Sequence, residues 1–345
     1  MKIAVAMSGG VDSSVTAALL KKEGHEVTGF TMRLFEPDGD VAPAMHDAPL
    51  VAAHLGIQHH FIDFETDFRK LVIDVFAESY RLGRTPNPCV RCNSHVKFGL
   101  LLENALEFGA EMLATGHYVR KTTDSAGVHH LRTSLNIRKD QSYFLCGLTQ
   151  GRLSSLLFPL GEIESKEDVR EIAREFRLPV SEKGESQEIC FIPDDDYVAF
   201  LEKKCGLHEK PGDIIHRNGE ILGRHGGIHR YTIGQRRGIG VAWSEPLYVS
   251  GIDPARNAVI VAEEQHIFSV CLAAENLSWI IPPRSDEFVA FCKIRYRHRP
   301  VGCRVRIEGE GRCQVLFDEP QRGVTPGQSV VFYRDDELLG GGVII

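Results

Sequence analysis

Ala6-Met7-Ser8-Gly9-Gly10-Val11-Asp12-Ser13-Ser14 lies between a short apolar run, Ile3 to Met7, and a segment with helical periodicity in Val15, Leu19 and Leu20 that ends on Lys21 and Lys22. The stretch reads as strand, tight loop, helix. Two adjacent glycines let the backbone turn and come close to a ligand where a Cβ would clash. The helix that follows aims its unpaired N–H groups and the positive end of its dipole at whatever occupies the loop. Ser8, Ser13 and Ser14 add hydroxyls, and the whole suits a phosphate. A turn whose Ser or Asp merely caps a helix would explain the glycines as well.

Working outward, residues 2 to 7, 26 to 34, 59 to 64 and 111 to 116 are short apolar or mixed runs, separated by helical patterns over 13 to 23, 45 to 55, 67 to 82 and 96 to 108. Such alternation predicts an α/β fold with βαβ units, a parallel sheet, and a ligand at the carboxyl ends of its strands. The loop at Ser8 is at such an end, as are Met32 and Gly116-His117-Tyr118, which suit adenine and ribose; Met32 as plain core fits its pattern equally.

The chain has 345 residues, 43% hydrophobic and 25% charged, enough for two or three folded domains and unlike a disordered chain. No apolar run approaches the roughly 20 residues that span a bilayer, and Lys2 before a short strand is no secretory signal. A cytoplasmic protein without a membrane partner is expected, and its nine cysteines are read as free, catalytic or metal-bound thiols. The net charge of −7 argues against a generic nucleic-acid coat. The acidic excess sits before Cys205, since the remainder carries 17 Lys+Arg against 17 Asp+Glu, so any nucleic acid must be met by local patches.

Gly83-Arg84-Thr85-Pro86-Asn87-Pro88-Cys89-Val90-Arg91-Cys92-Asn93 carries two prolines and a glycine, which predict a loop holding Cys89 and Cys92 three positions apart. The pair suits redox chemistry, half of a metal site, or two inert thiols. Cys190 is the nearest candidate for a third ligand, whereas Cys146 among Phe144, Leu145 and Leu148 reads as core. Lys166 to Phe176, with Ser165 as its cap, and Asp196 to Lys204 read as helices.

After about Gly206, Gly and Pro punctuate short alternating runs, the pattern of small β-rich domains. We divide the chain into a nucleotide-binding catalytic domain (1–205), a central β-rich domain (206–267) and a C-terminal β-barrel (268–345). Tyr231-Thr232-Ile233-Gly234-Gln235-Arg236-Arg237-Gly238 places Gln235, Arg236 and Arg237 on a Gly-rich loop suited to a phosphate backbone, or simply to solvent. Lys293, Arg295, Arg297 and Arg299 alternate with Ile294, Tyr296 and His298. As a strand, period two would put all four cations on one face, for RNA or for solvent.

The loop lacks a Gly-Lys-Ser/Thr ending, and its Ser-Gly-Gly-X-Asp-Ser pattern resembles the pyrophosphate loop of ATP pyrophosphatases, the PP-loop superfamily. Together with Arg84 to Asn93, Ala114 to Tyr118, Lys139-Asp140-Gln141-Ser142-Tyr143-Phe144-Leu145, Ser186 to Ile192 and Tyr231 to Gly238, the whole chain resembles the bacterial tRNA-specific 2-thiouridylase family. That resemblance implies a PP-loop domain of the adenine nucleotide alpha hydrolase type. It implies ATP-dependent replacement of the 2-oxygen of the wobble uridine of tRNA (position 34) by sulfur, through an adenylated uridine. ATP would be bound by Ala6 to Ser14, Met32 and Gly116, with Mg2+ neutralising the phosphates and Asp12 as a catalytic group and metal ligand. Cys92 matches the family's nucleophile and Cys190 its persulfide carrier, the two joining as a disulfide after turnover. The sulfur would come from a sulfur-relay or cysteine desulfurase protein. Contacts to tRNA, and none to DNA, are expected from Asn87, Pro88, Cys89, Lys139, Asp140, Gln141, Gln235, Arg236, Arg237, Arg295, Tyr296 and Arg297. Many members carry aspartate where this chain has Cys89, which opens an alternative for the same reaction, a 4Fe-4S cluster held by Cys89, Cys92 and Cys190. Two other readings remain at this stage, an amidating ligase of the same superfamily and an RNA-binding protein with structural zinc on those cysteines.

Overall fold

The computed structural model of the chain describes residues 1–35, 44–184, 189–309 and 311–345. Most of the Pro/Gly/Asp-rich segment after Phe35 and the Ser186 end of one family motif therefore lie outside the described residues. Strands β1 (Lys2–Ala6), β2 (Glu26–Arg33), β3 (Gln58–Asp63) and β4 (Met112–Ala114) are followed by a hairpin, β5 (Val119–Thr123) and β6 (His129–Thr133), and by the short β7 (Leu156–Leu157). The first four and β7 form an all-parallel sheet in the order β3-β2-β1-β4-β7. Because β1 has β2 on one side and β4 on the other, the winding reverses there. The carboxyl ends of β1 and β4 thus flank the crevice where open α/β sheets hold ligands. Ile3, Ala4 and Val5 are wholly buried, as a strand covered by helices on both faces requires. A hollow of about 280 Å³ beside Lys21, Val27 and Gln58 lies at the opposite, amino-terminal edge.

Helix α1 (Val11–Lys22) follows the glycine loop directly. The helix expected over 67 to 82 starts earlier and runs through three consecutive pieces, Glu65–Phe68, a π-wound Arg69–Ile73 and Asp74–Arg81. The loop expected around the first cysteine pair is not a loop. Pro88–Cys92 is helical and continues without a break through a π-wound Asn93–Leu101 into Leu102–Glu107. The prolines were misleading because Pro88 occupies the first helical position, where the missing N–H costs nothing and its fixed φ is already helical. Asn87 caps the turn by accepting from the N–H groups of Cys89 and Val90. At Lys166–Glu175 the expected Ser165 cap is present as a full capping box with Asp168.

Beyond residue 206, β8 (Gly212–His216), β9 (Ile221–His225), β10 (Leu247–Asp253) and β11 (Ala258–Glu263) form a four-stranded sheet around Ile214, Val249, Val259 and Val261. The last six strands, β12 (Phe268–Trp279), β13 (Glu287–Lys293), β14 (Val301–Gly309), β15 (Arg312–Arg322), β16 (Ser329–Arg334) and β17 (Glu337–Ile344), pair in the order β12-β15-β14-β13-β16-β17. Pairing of β12 with β17 closes the ring, which leaves no open edge between its first and last strands. Period two fills its interior with Cys303, Val305, Cys313, Val315 and Phe317. β17 also takes up β6 of the first domain, and Asp336 accepts from Arg120 and Arg132 at 2.6 Å each, so barrel and catalytic domain share one sheet.

Candidate active site

The glycine loop has the backbone its sequence requires. Gly9 has a φ of 67°, the left-handed region that suits glycine, and Gly10 is the extended N-cap of α1. Among the described residues no side chain caps the helix there, so its first N–H groups remain available to an anion. The hydroxyls divide. Ser14 Oγ donates to the Gly10 carbonyl at 2.8 Å and Ser13 Oγ accepts from the Ser8 N–H at 3.1 Å, both serines being buried. Ser8 is the exposed one. Ala6 ends the strand, Met7 just beyond it is buried against Gly29, and Val11 is core. Met32, at the carboxyl end of β2, is half-buried against the core.

Asp12 opens α1 and accepts from the Tyr118 hydroxyl at 2.6 Å and from Lys166 Nζ at 2.5 Å through one oxygen, Oδ1. Lys166 is buried and its ammonium also lies 5.7 Å from the centre of the Tyr118 ring. Lys183 reaches the other end of the loop, donating to the Gly9 carbonyl at 3.0 Å and to Asp47 at 2.5 Å. Two cations thus converge on a loop shaped for phosphate. Gly116, after β4, leans on the first turn of α1, where a Cβ would sit 2.9 Å from Asp12 C and Ser13 N. Tyr118 N–H donates to Gln141 Oε1, which fastens the Lys139 to Gln141 segment to the same crevice.

The thiols gather next to this crevice. Cys89 and Cys92, three apart on one helix, share a face, and Cys190 acts electrostatically on both. Burial pushes the Cys92 thiol up to about 12; Lys97 opposes that rise, and the neighbouring thiols Cys190 and Cys89 add to it. Burial likewise pushes Cys89 up to about 11. Cys190 is exposed as a residue, yet enough protein crowds its sulfur that desolvation raises it too, again against Lys97. All three are free thiols. His117, adjacent to Gly116, links the two halves of the site. Its ring lies 5.5 Å from that of Phe98, and burial, then Lys97, push its imidazole well below the ordinary range. Beside Cys92, the buried Asn93 donates to the Phe144 carbonyl while its Oδ1 has no partner among the described residues.

Family comparison agrees with this architecture along the chain. The model described as the tRNA methyl transferase HUP domain matches residues 1–194, that of the tRNA methyl transferase PRC-barrel domain residues 199–263, and that of the aminomethyltransferase beta-barrel domain residues 269–344. A protein of Pelobacter propionicus named tRNA-specific 2-thiouridylase MnmA is 62% identical over 100% of this chain and 97% of its own. Proteins of the same name from Trichlorobacter lovleyi and Geobacter metallireducens are 59% and 51% identical, each over 99% of this chain and 97% and 96% of their own. The chain belongs to the tRNA-specific 2-thiouridylase family.

The family resemblance had also implied nucleic-acid contacts, and the structure separates these residues. Arg236 and Arg237 are exposed, on a turn that Gln235 builds by accepting from the Thr232 N–H and donating to the Arg237 carbonyl. The cationic stripe does not form. β13 ends at Lys293 and the chain turns, with His298 N–H donating to the Arg295 carbonyl. Arg295 points inward to the Gly323 carbonyl and Thr325 Oγ1, Tyr296 packs at 4.5 Å on Phe144, and Arg297 alone of the three is exposed. Ile294 is drawn into the barrel, and Pro300, without an N–H, cannot extend a ladder. Asp140 is buried, accepting from Ser134 and Ser142, so it orders its own loop and offers no surface. Asn87 and Pro88 are occupied as helix cap and first turn. Among the described residues no three His, Cys, Asp or Glu side chains converge to hold a metal ion, so nothing in the arrangement supports a cluster or a structural zinc on Cys89, Cys92 and Cys190. Lys166, Lys183 and Lys97 belong to the site unannounced by the sequence, which had marked Gly116-His117-Tyr118 as a ligand-facing strand end; Ser165-Lys166 was legible only as a helix start.

Proposed function

We propose that the chain is a tRNA-uridine 2-sulfurtransferase, using ATP to replace the 2-oxygen of the wobble uridine of tRNA by sulfur from a persulfide. Family membership supports the reaction. The observation that carries the reading is that the segment after β4 joins loop and thiol helix, with Gly116 against α1 and the next residue, His117, against Phe98 of the helix that carries Cys92 and Lys97. A urea-like carbonyl is a poor electrophile, so its oxygen must become a leaving group. Uridine O2 attacks the α-phosphorus of ATP and pyrophosphate departs, its charge met by the α1 N–H groups, Lys166 and Lys183. Mg2+, when bound, neutralises phosphate charge, and the second carboxylate oxygen of Asp12 is the group that would hold it.

The terminal sulfur of a persulfide on Cys190 then adds to C2, and AMP leaves with the original oxygen. The Cys92 thiolate attacks the Cys190 sulfur, breaks the S–S bond and releases 2-thiouridine. The product disulfide takes two electrons from an external thiol to reset. A sulfur-relay or desulfurase protein reaches the exposed Cys190, and the tRNA substrate places the work in the cytoplasm. Incubation with tRNA, ATP, Mg2+ and a persulfide donor is expected to yield pyrophosphate and 2-thiouridine together. Pyrophosphate without thiolated nucleoside would overturn the sulfur half.

A further inference from the structure

The helix of Cys89 and Cys92 departs from α-helical winding immediately after Cys92, where Asn93–Leu101 is π-wound. Such segments are uncommon and cluster at functional sites. Their i to i+5 pattern draws residues five apart together, and five residues after Cys92 stands Lys97. Lys97 is half-buried, and among the described residues no carboxylate pairs with it. Its charge acts on Cys89, Cys92 and Cys190, and on His117 across the crevice. The other groups facing Cys92 are thiols, Cys89 on its own helix and Cys190 opposite, and both disfavour a second negative charge. Farther along the helix, Arg91 and Arg152 act on His95, whose ring is exposed. A buried thiol among thiols is a poor nucleophile unless a cation offsets desolvation.

We propose that Lys97 is the electrostatic partner of the nucleophile, its ammonium holding first the persulfide anion on Cys190 and then the Cys92 thiolate in an otherwise desolvating pocket. The idea rests on the reading of Cys92 as nucleophile. The π-wound turn is the device that brings the cation around the helix to the sulfur, and Cys89 completes the same face.

The test is the rate at which iodoacetamide alkylates Cys92 in the full-length protein, resolved by peptide mass spectrometry across the pH range 7 to 9. Wild type is compared with Lys97→Met, Lys97→Gln and Lys97→Arg, with thermal melting as the check on folding. Neutral variants are expected to react about tenfold more slowly at each pH, a displacement of about one pKa unit, and Lys97→Arg to stay within about threefold of wild type. Unchanged or faster alkylation in both neutral variants, or an equal loss in Lys97→Arg, would overturn the proposal and make Lys97 a packing residue. Cys92→Ser separates the two ideas: retained thiolation removes Cys92 from the reaction and leaves the alkylation result standing.

Discussion

Lys166→Met removes the cation that the structure places on the phosphate loop. The Lys166 side chain is 10% exposed, its Nζ lies 2.5 Å from Asp12 Oδ1, and Asp12 is 35% exposed. Breaking a fully buried pair costs about 3–5 kcal/mol, whereas an exposed pair is worth about 0–1. The solvent that reaches Asp12, and the hydrogen bond it keeps from Tyr118, place this pair between, at about 2 kcal/mol. Melting should fall by several degrees. The catalytic effect is the larger one, because removing a preorganised donor from a developing charge slows reaction about 10²–10³-fold. tRNA-stimulated pyrophosphate release reads it directly, and Lys166→Arg should recover much of the rate while restoring the pair. If Lys166→Met melts lower yet releases pyrophosphate within about threefold of wild type, Lys166 supports the loop and takes no part in adenylation.

Gly116→Ala would press a methyl against the Asp12 and Ser13 backbone at 2.9 Å, where neither side can yield. It should cost about 1–3 kcal/mol and slow ATP use; normal melting and turnover would contradict the close approach. Arg236→Ala with Arg237→Ala should flatten the salt dependence of tRNA affinity by about two phosphate contacts at most. Arg295→Ala should instead lower stability and leave that slope alone, and filter binding over a salt series sees the difference. His130, whose ring contacts Glu337 of β17, has a pKa raised above its ordinary value. Desolvation lowers it, but hydrogen bonds with Glu337 and Asp124 outweigh that. Its stabilisation is fully present below the unfolded value, near 6.5, and is lost as pH rises through the folded one. The stability difference between wild type and His130→Ala should therefore shrink from pH 6 to pH 8.5, and a flat difference would refute the linkage.

Elements built from local pattern were legible in the chain. The parallel strands, α1, the Ser165 cap and the β-rich second half follow from periodicity, from Gly9-Gly10 and from capping residues, all of which act within a few positions. What escaped depends on long-range contact. Nothing near Lys166 announces that it lies against Asp12, 154 positions away. The Lys293 to Arg299 stripe has a perfect strand period, yet Gly323 and Thr325 capture Arg295 and bend the chain. Pro88 misled for a different reason, since proline breaks a helix everywhere except at its start, and only Asn87 before it marked that start. Cys92 and Cys190 came from family resemblance; their shared surroundings came from the fold.

If sulfur passes through Cys190, each turnover leaves Cys92 joined to it. A single turnover with tRNA, ATP, Mg2+ and a persulfide donor, without added reductant, tests it when mass spectrometry of the quenched protein is combined with iron analysis. One Cys92–Cys190 disulfide is expected for each 2-thiouridine formed, in protein that carries no iron. Thiolation without that disulfide, in protein holding about four irons per chain that are lost on Cys89→Ala, would contradict it.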